Sequence, residues 1–121
     1  METSINDSIL RTIRQMIGPE VNYDAFDTDL IVNINSALMT LNQLGVGPEK
    51  GFVVTGEDET WANFLGDFED LESVKMYTYI KTKTIFDPPS NSSHLEMLKE
   101  QAKELEWRIN VQVEGDDHNA D

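Results

Sequence analysis

The sequence predicts an all-α fold: a compact bundle of four main helices plus one short helix, with a long C-terminal helix. Apolar residues recur at three- and four-residue steps along four segments, which is the spacing of a helix face. Glycine and proline separate these segments, as in Gly18-Pro19 and Asp87-Pro88-Pro89, and both residues end helices. The exception is a short β-prone run around residues 52–55, which we expect to be extended because it is too short to form a sheet alone.

The first helix is predicted to begin near Ile5 and to end at Gly18. Ser4-Ile-Asn-Asp7 has the form of a capping box, with Asp in place of the usual Glu. Arg11 and Arg14 lie off the apolar stripe, and we expect both to be exposed. The stripe at helical spacing consists of Ile5, Ile9, Leu10, Ile13, Met16 and Ile17.

The second helix follows three acidic residues, Asp24, Asp27 and Asp29, which favour the positive end of the helix dipole. Gly45 and Pro48 end it. Its apolar stripe is broad enough to predict a central helix that is contacted from two sides. The stripe consists of Leu30, Ile31, Ile34, Ala37, Leu38, Leu41 and Leu44.

The short third helix is predicted from the apolar face formed by Trp61, Phe64 and Leu65, and Trp61 is interpreted as a core anchor rather than a partner-binding aromatic. The fourth helix, from about residue 69 to residue 86, carries Tyr77 and Tyr79 among several lysines. Three interpretations remain for these side chains. In the first, the tyrosines and lysines together form a nucleic-acid patch. In the second, the tyrosines are half-buried with wet hydroxyls and the lysines lie beside them; in the third, the lysines meet acidic groups on a neighbouring subunit.

The last helix is predicted from Ser93, which opens a second capping box, to Gln112. Its apolar residues form one narrow seam, and Glu104 with Arg108 stands in the favourable i,i+4 order. Residues 1–113 are therefore interpreted as one domain, and residues 114–121 as an acidic disordered tail. The seam consists of Leu95, Leu98, Ala102, Leu105 and Ile109.

Composition limits the classes of function. The chain has 121 residues, a formal net charge of −14 and no cysteine. The charge disfavours wrapping of nucleic acid, which needs a basic surface. The absence of cysteine excludes disulfides, thiolate metal sites and a cysteine nucleophile. The N-terminus does not have the form of a signal peptide, and no segment has the length and apolarity of a membrane span, so we expect a soluble protein made in the cytoplasm.

Catalytic patterns are lacking. His94 is predicted in the first turn of a helix, and Asp116, Asp117 and His118 lie in the acidic tail, where flexible groups make a poor cation site. No glycine-rich loop with the phosphate-binding pattern is present. We therefore expect no enzyme, no cofactor and no metal.

Four segments of the chain, taken in order, resemble those of a known protein family. Phe26 to Pro48, Thr60 to Asp67, Val74 to Pro89 and Leu95 to Val113 are together similar to the small helical head–tail connector (adaptor or head-completion) proteins of tailed bacteriophages. The resemblance covers roughly residues 5–113. It implies a structural virion protein, made in the host bacterium, that forms a ring beneath the portal, dodecameric in the virion. Such a ring completes the head, extends the DNA channel and receives the next neck or tail protein, with DNA only as passing cargo.

Two candidate surfaces follow from this resemblance. A C-terminal segment commonly reaches the portal in such proteins, and Trp107, Ile109, Val111 and Val113 are the candidate portal-binding residues. Candidate subunit contacts are Phe52, Val53, Val54, Lys81 and Lys83. The alternative function is an acidic DNA-mimic or inhibitory helical module, but mimicry needs rows of carboxylates, and the acids here cluster in loops and the tail.

Overall fold

The computed structural model describes residues 3–18 and 24–120. The described part is helical and contains no sheet, so the predicted fold class is confirmed. One isolated antiparallel bridge joins Ser8 to Thr60. The elements are α1 (Ile9–Ile17), a 3₁₀ turn (Asp24–Phe26), α2 (Asp27–Gln43), α3 (Trp61–Leu65), α4 (Leu71–Phe86) and α5 (Ser92–Ala120).

Helix α4 lies in the middle of the bundle. It packs most extensively against α2 and α5 and also contacts α1. Phe86 at its end meets Phe26 just before α2, with ring centroids 5.7 Å apart, whereas Asp70 at its start contacts Gln112 near the end of α5. Helix α4 therefore runs antiparallel to both neighbours. Helix α2 is contacted by α1 and α4, as its broad stripe predicted.

The core joins all five helices, and Trp61 is its largest fully buried side chain. The indole Nε1 donates to the Thr12 Oγ1 at 3.1 Å, which satisfies the one polar atom of the ring inside the core. The predicted role of Trp61 as a core anchor is confirmed. The buried hydrophobic residues of α1, α2 and α4 are Ile9, Leu10, Ile13, Ile17, Leu30, Ile34, Ala37, Leu38, Leu41, Val74, Tyr77 and Ile80.

Helix α1 begins later than predicted. Ser8 is its N-cap, with the Oγ accepting from the Arg11 backbone N–H at 3.2 Å, and Ser4 with Asp7 forms a separate turn. The cause is competition for backbone groups. Residues 5–9 exchange hydrogen bonds with residues 59–62, and the carbonyl of Ile5 accepts from Ala62 N–H at 2.7 Å. Ile5 is consequently half exposed, and its predicted place in the core is wrong.

Arg14 was predicted to be exposed, and this is wrong because Asp27 draws it inward. The Arg14 side chain is only 10% exposed, and its Nη2 lies 2.9 and 2.8 Å from the two carboxylate oxygens of Asp27. Glu57 approaches the same nitrogen at 3.7 Å. The pair ties α1 to the first turn of α2, where the carboxylate also favours the helix dipole. Arg11 is exposed as predicted.

The extended run around residues 52–55 lies along α2. The Asn35 side chain makes two hydrogen bonds with Val54, donating to its carbonyl at 3.0 Å and accepting from its N–H at 2.7 Å. An amide side chain therefore takes the place of a neighbouring strand. Phe52 packs edge-on against Phe64 of α3, with ring centroids 5.3 Å apart.

Helix α5 is capped by Asn91 rather than by the predicted Ser93. The Asn91 Oδ1 accepts from Ser93 N–H at 2.8 Å and from His94 N–H at 3.1 Å. The predicted seam is confirmed, since Leu98, Ala102 and Ile109 are buried. The predicted end of this helix at Gln112 is wrong, because α5 continues through residues 113–119 to Ala120.

Candidate partner-binding surfaces

The outer face of α5 exposes two large apolar side chains. Trp107 is 66% exposed and Val111 is 44% exposed, and their i,i+4 spacing places them on one face. Ile109 lies between them in sequence but on the opposite face, where it is completely buried. Of the four candidate portal-binding residues, Trp107 and Val111 are thus available to a partner, whereas Ile109 belongs to the core.

The fourth candidate, Val113, holds the end of α5 against the body. It packs on the core beside Gly45, which follows α2 and has φ +107°; a Cβ at Gly45 would lie 2.7 Å from the Val113 Cγ1. The neighbouring Gln112 donates to the Asp70 Oδ2 at 2.8 Å. We call these two contacts the α5 clasp. They fix the direction in which α5 leaves the bundle.

Asp70 is both the cap of α4 and the acceptor in the α5 clasp. Its carboxylate accepts from the N–H of Ser73 at 3.1 Å and from the Ser73 hydroxyl at 2.6 Å. Burial opposes ionisation of this carboxyl, but the hydrogen bonds from Ser73 and Gln112 prevail, so its pKa lies below the ordinary value. The charged form of Asp70 is therefore the form that joins α4 to α5.

The candidate subunit contacts lie on two different surfaces. Val53 is 62% exposed beside α2, whereas Val54 is 1% exposed and Phe52 packs against Phe64, so of these three candidates only Val53 faces outward. Lys81 and Lys83 lie on α4 instead. Lys83 is paired with the Asp87 carboxylate at 3.2 Å.

Lys81 belongs to a groove between α4 and α5 that sequence reasoning missed. We call it the lysine groove; it has a volume of about 470 Å³. The signal was present in the sequence, because Lys99 and Lys103 stand at i,i+4 on one helix, but only the antiparallel packing against α4 brings Lys81 to the same place. The groove is lined by Lys81, Thr84, Ile85, Lys99, Ala102, Lys103 and Glu106.

The tyrosines of α4 support the bundle rather than a nucleic-acid patch. Tyr77 is completely buried, and its hydroxyl donates to the Glu106 Oε2 at 2.8 Å, so the half-buried tyrosine with a wet hydroxyl is wrong at this position. Burial raises the pKa of Tyr77, and the hydrogen bond and charge of Glu106 raise it further. Tyr79 is partly buried.

Helix α2 has an exposed apolar face of its own. Val32 is 63% exposed and Met39 is 61% exposed, two helical turns apart on the same side. Sequence reasoning did not single out either residue. They are useful comparators for Trp107 and Val111, because their exposure is similar and their helix is different.

The described residues hold neither a cluster of metal ligands nor a helix that could span a membrane. No group of three or more histidine, aspartate or glutamate side chains there could hold a metal ion. The side chains of Asp116, Asp117 and His118 lie outside the described set. None of the described helices combines the length and the apolarity that crossing a bilayer demands.

Comparison with known families identifies the class of protein. The family model described as phage connector protein matches residues 9–116, which is most of the chain and covers α1 to α4 completely and α5 up to residue 116. No significant match was found among curated proteins or among solved structures. The chain belongs to the phage connector protein family, and its place is at the head–tail connection of a bacteriophage.

Proposed function

We propose that the chain forms a ring beneath the portal of a tailed phage. The ring completes the DNA-filled head, extends the DNA channel and offers the platform on which the next neck or tail protein docks. Its copy number in the virion is twelve by family resemblance. The role is structural and not enzymatic, and the protein resides in the virion. Membership of the connector family supports this proposal.

The exposed outer face of α5 is the observation that carries the portal contact. Trp107 is the most exposed of the large hydrophobic residues in the described part of the chain, and Val111 continues its face by one turn. Exposed aromatic side chains are enriched at the centres of protein interfaces because they bury much area at little entropic cost. The α5 clasp holds this face in a fixed direction, so docking does not require the helix to be ordered first.

DNA is cargo for this ring and not a ligand. The chain carries 9 basic and 23 acidic residues, so few side chains are available to neutralise the phosphates of DNA. The isolated protein is therefore expected to bind duplex DNA weakly or not at all at physiological salt. Submicromolar, strongly salt-dependent binding in a filter or fluorescence assay would contradict this.

Docking on portal-bearing heads tests the proposal. Trp107→Ser should abolish attachment or weaken it by about 2 kcal/mol or more, the loss typical of a central interface aromatic. Met97→Ser is the matched control, because Met97 is 60% exposed on the same helix and should dock like the wild type. A second variant that ends at Val113 keeps the α5 clasp and asks whether residues 114–121 contribute. Normal docking by Trp107→Ser would refute the assigned face.

A further inference from the structure

The lysine groove is the main concentration of uncommitted positive charge on a strongly acidic chain. Most other cations in the described residues are already paired: Arg14 with Asp27, Lys75 with Glu72, Lys83 with Asp87 and Arg108 with Glu104, at 2.8–3.2 Å. Lys81 makes no ion pair within the described part.

The other two lysines of the groove are only loosely committed. Lys99 and Lys103 reach Glu96 and Glu100 at 3.7 Å, and both lysines are more than half exposed. Exposed pairs at such distances contribute little. Glu106 is the one acidic residue in the lining, and its carboxylate is engaged by the Tyr77 hydroxyl. Ile85 adds an apolar side chain that is 60% exposed. The groove is built to receive an acidic partner with some apolar contact.

The same chain carries such a partner elsewhere on its surface. Residues 67–72, which lead into α4, contain Asp67, Glu69, Asp70 and Glu72. Asp67 and Glu69 are exposed, and neither forms an ion pair within the described residues. This acidic segment lies at the α5 clasp, about 14 Å along α4 from Lys81 at 1.5 Å per residue. The unpaired carboxylates of Asp67 and Glu69 and the lysines of the groove therefore lie on separate surfaces of one molecule.

We propose that the lysine groove of one copy receives the acidic segment, residues 67–72, of the next copy. This deepens the proposed function and rests on it. A chain of net charge −14 repels its own copies unless the contact is charge-complementary or apolar, and this contact is charge-complementary. Because the two surfaces differ, the contact is heterologous, and a heterologous contact generates rings when its rotation closes. Duplex DNA is the less favoured occupant because the acidic surface around the groove repels a polyanion.

A charge-swap experiment tests this contact on full-length protein. One variant carries Lys99→Glu and Lys103→Glu, the other carries Asp67→Lys and Glu69→Lys, and all four side chains are exposed, so folding should be unchanged. Assembly is measured by native mass spectrometry and by copy number on purified portal rings. Each variant alone should need at least about tenfold more protein to assemble than the wild type, because like charges then meet in the contact. Lys50→Glu, an exposed lysine-to-glutamate change outside the groove, should assemble normally.

Mixing the two variants gives the decisive result. In an alternating ring each reversed groove faces a reversed segment, and each native groove faces a native segment, so the mixture should assemble at wild-type concentration. Normal assembly by the Lys99→Glu, Lys103→Glu variant alone would overturn the proposal, as would a mixture that stays unassembled. Duplex DNA binding by the wild type that the Lys99→Glu, Lys103→Glu variant loses while its rings stay intact would also overturn it. Wild-type protein that never associates with portal rings would instead refute the proposed function itself.

Discussion

Helices α2 and α5 both pack on α4, yet they use their surfaces differently. Helix α2 has 17 residues, contacts both α1 and α4, and buries Leu30, Ile34, Ala37, Leu38 and Leu41. Helix α5 has 29 residues and packs mainly on α4 along a narrow seam. Helix α2 is held on two sides, whereas α5 presents most of its circumference outward.

This difference separates stability from function along the chain. The buried leucines of α2 lie in a helix that packs on both α1 and α4, so the removal of one should leave a cavity. Trp107 and Val111 lie exposed on the outer face of α5, so their substitution should change partner binding while leaving the fold intact. The α5 clasp is the point where the two roles meet, because it fixes the exposed helix to the stable body.

The largest expected effect is in the core. Leu38→Ala in α2 should destabilise the protein by about 2–5 kcal/mol, because the side chain is 1% exposed and its neighbours cannot fill the space. Leu105→Ala in α5 should fall at or below the lower end of that range, since Leu105 is only partly buried. Urea unfolding monitored by circular dichroism measures both. Equal losses at the two positions would remove the contrast between the helices.

The next effect concerns the ion pair between α1 and α2. Asp27→Ala should cost about 1.5–3 kcal/mol, the range for a hydrogen bond to a charged group, because Arg14 is left buried with only the more distant Glu57 carboxylate at 3.7 Å. Glu57→Ala is the control: Glu57 lies 3.7 Å from the same guanidinium and is 43% exposed, so its loss should cost less than about 1 kcal/mol. Equal costs in urea unfolding would show that the bidentate geometry contributes nothing.

Gly45→Ala tests the α5 clasp. The substitution combines an unfavourable positive φ with a contact on Val113, and we expect a loss of about 1–3 kcal/mol. Gly51→Ala separates the two causes, because Gly51 has φ +93° but open space around its Cβ. The excess loss at Gly45 should disappear when Val113 is also changed to alanine. If Gly45→Ala and Gly51→Ala cost the same, Val113 does not press on this turn.

The smallest effect is a pH dependence. Asp70 has a lowered pKa in the folded state. Its contribution to the stability of the fold is therefore fully present above the unfolded pKa, near the ordinary value of 3.8. That contribution is lost as the pH falls through the folded pKa. Gln112→Ala removes one donor and should cost about 0.5–1.5 kcal/mol at pH 7. The stability difference between wild type and variant should shrink below about pH 4. A difference that stays constant down to pH 2 would exclude Asp70 as the partner.

Local patterns predicted much of this fold. The stripes of α2 and α5, the anchor Trp61 and the stops at Gly18 and Asp87 all follow from spacing and backbone chemistry, and the structure confirms them. Two of the errors, the start of α1 and the exposure of Arg14, share one physical cause, because each depends on a contact distant in sequence. The cap of α5 was misplaced locally, by two residues. Residues 59–62 take the hydrogen bonds that would have extended α1, and Asp27 pulls Arg14 inward.

The candidate surfaces were predicted less completely for the same reason. Periodicity placed Trp107 and Val111 near the end of the last helix but did not separate them from Ile109, which faces the core. The lysine groove needs the antiparallel packing of α4 and α5, which no local pattern contains. Membership of the connector family came from the order of segments over the whole chain, and the family match confirms it.

A cryo-electron microscopy reconstruction of the phage neck tests the central claim most directly. We predict a ring beneath the portal in which Trp107 and Val111 of α5 are buried against the portal, while Val32 and Met39 of α2 make no portal contact. A ring in which α2 meets the portal and the outer face of α5 lies in solvent would contradict the division of roles between the two helices.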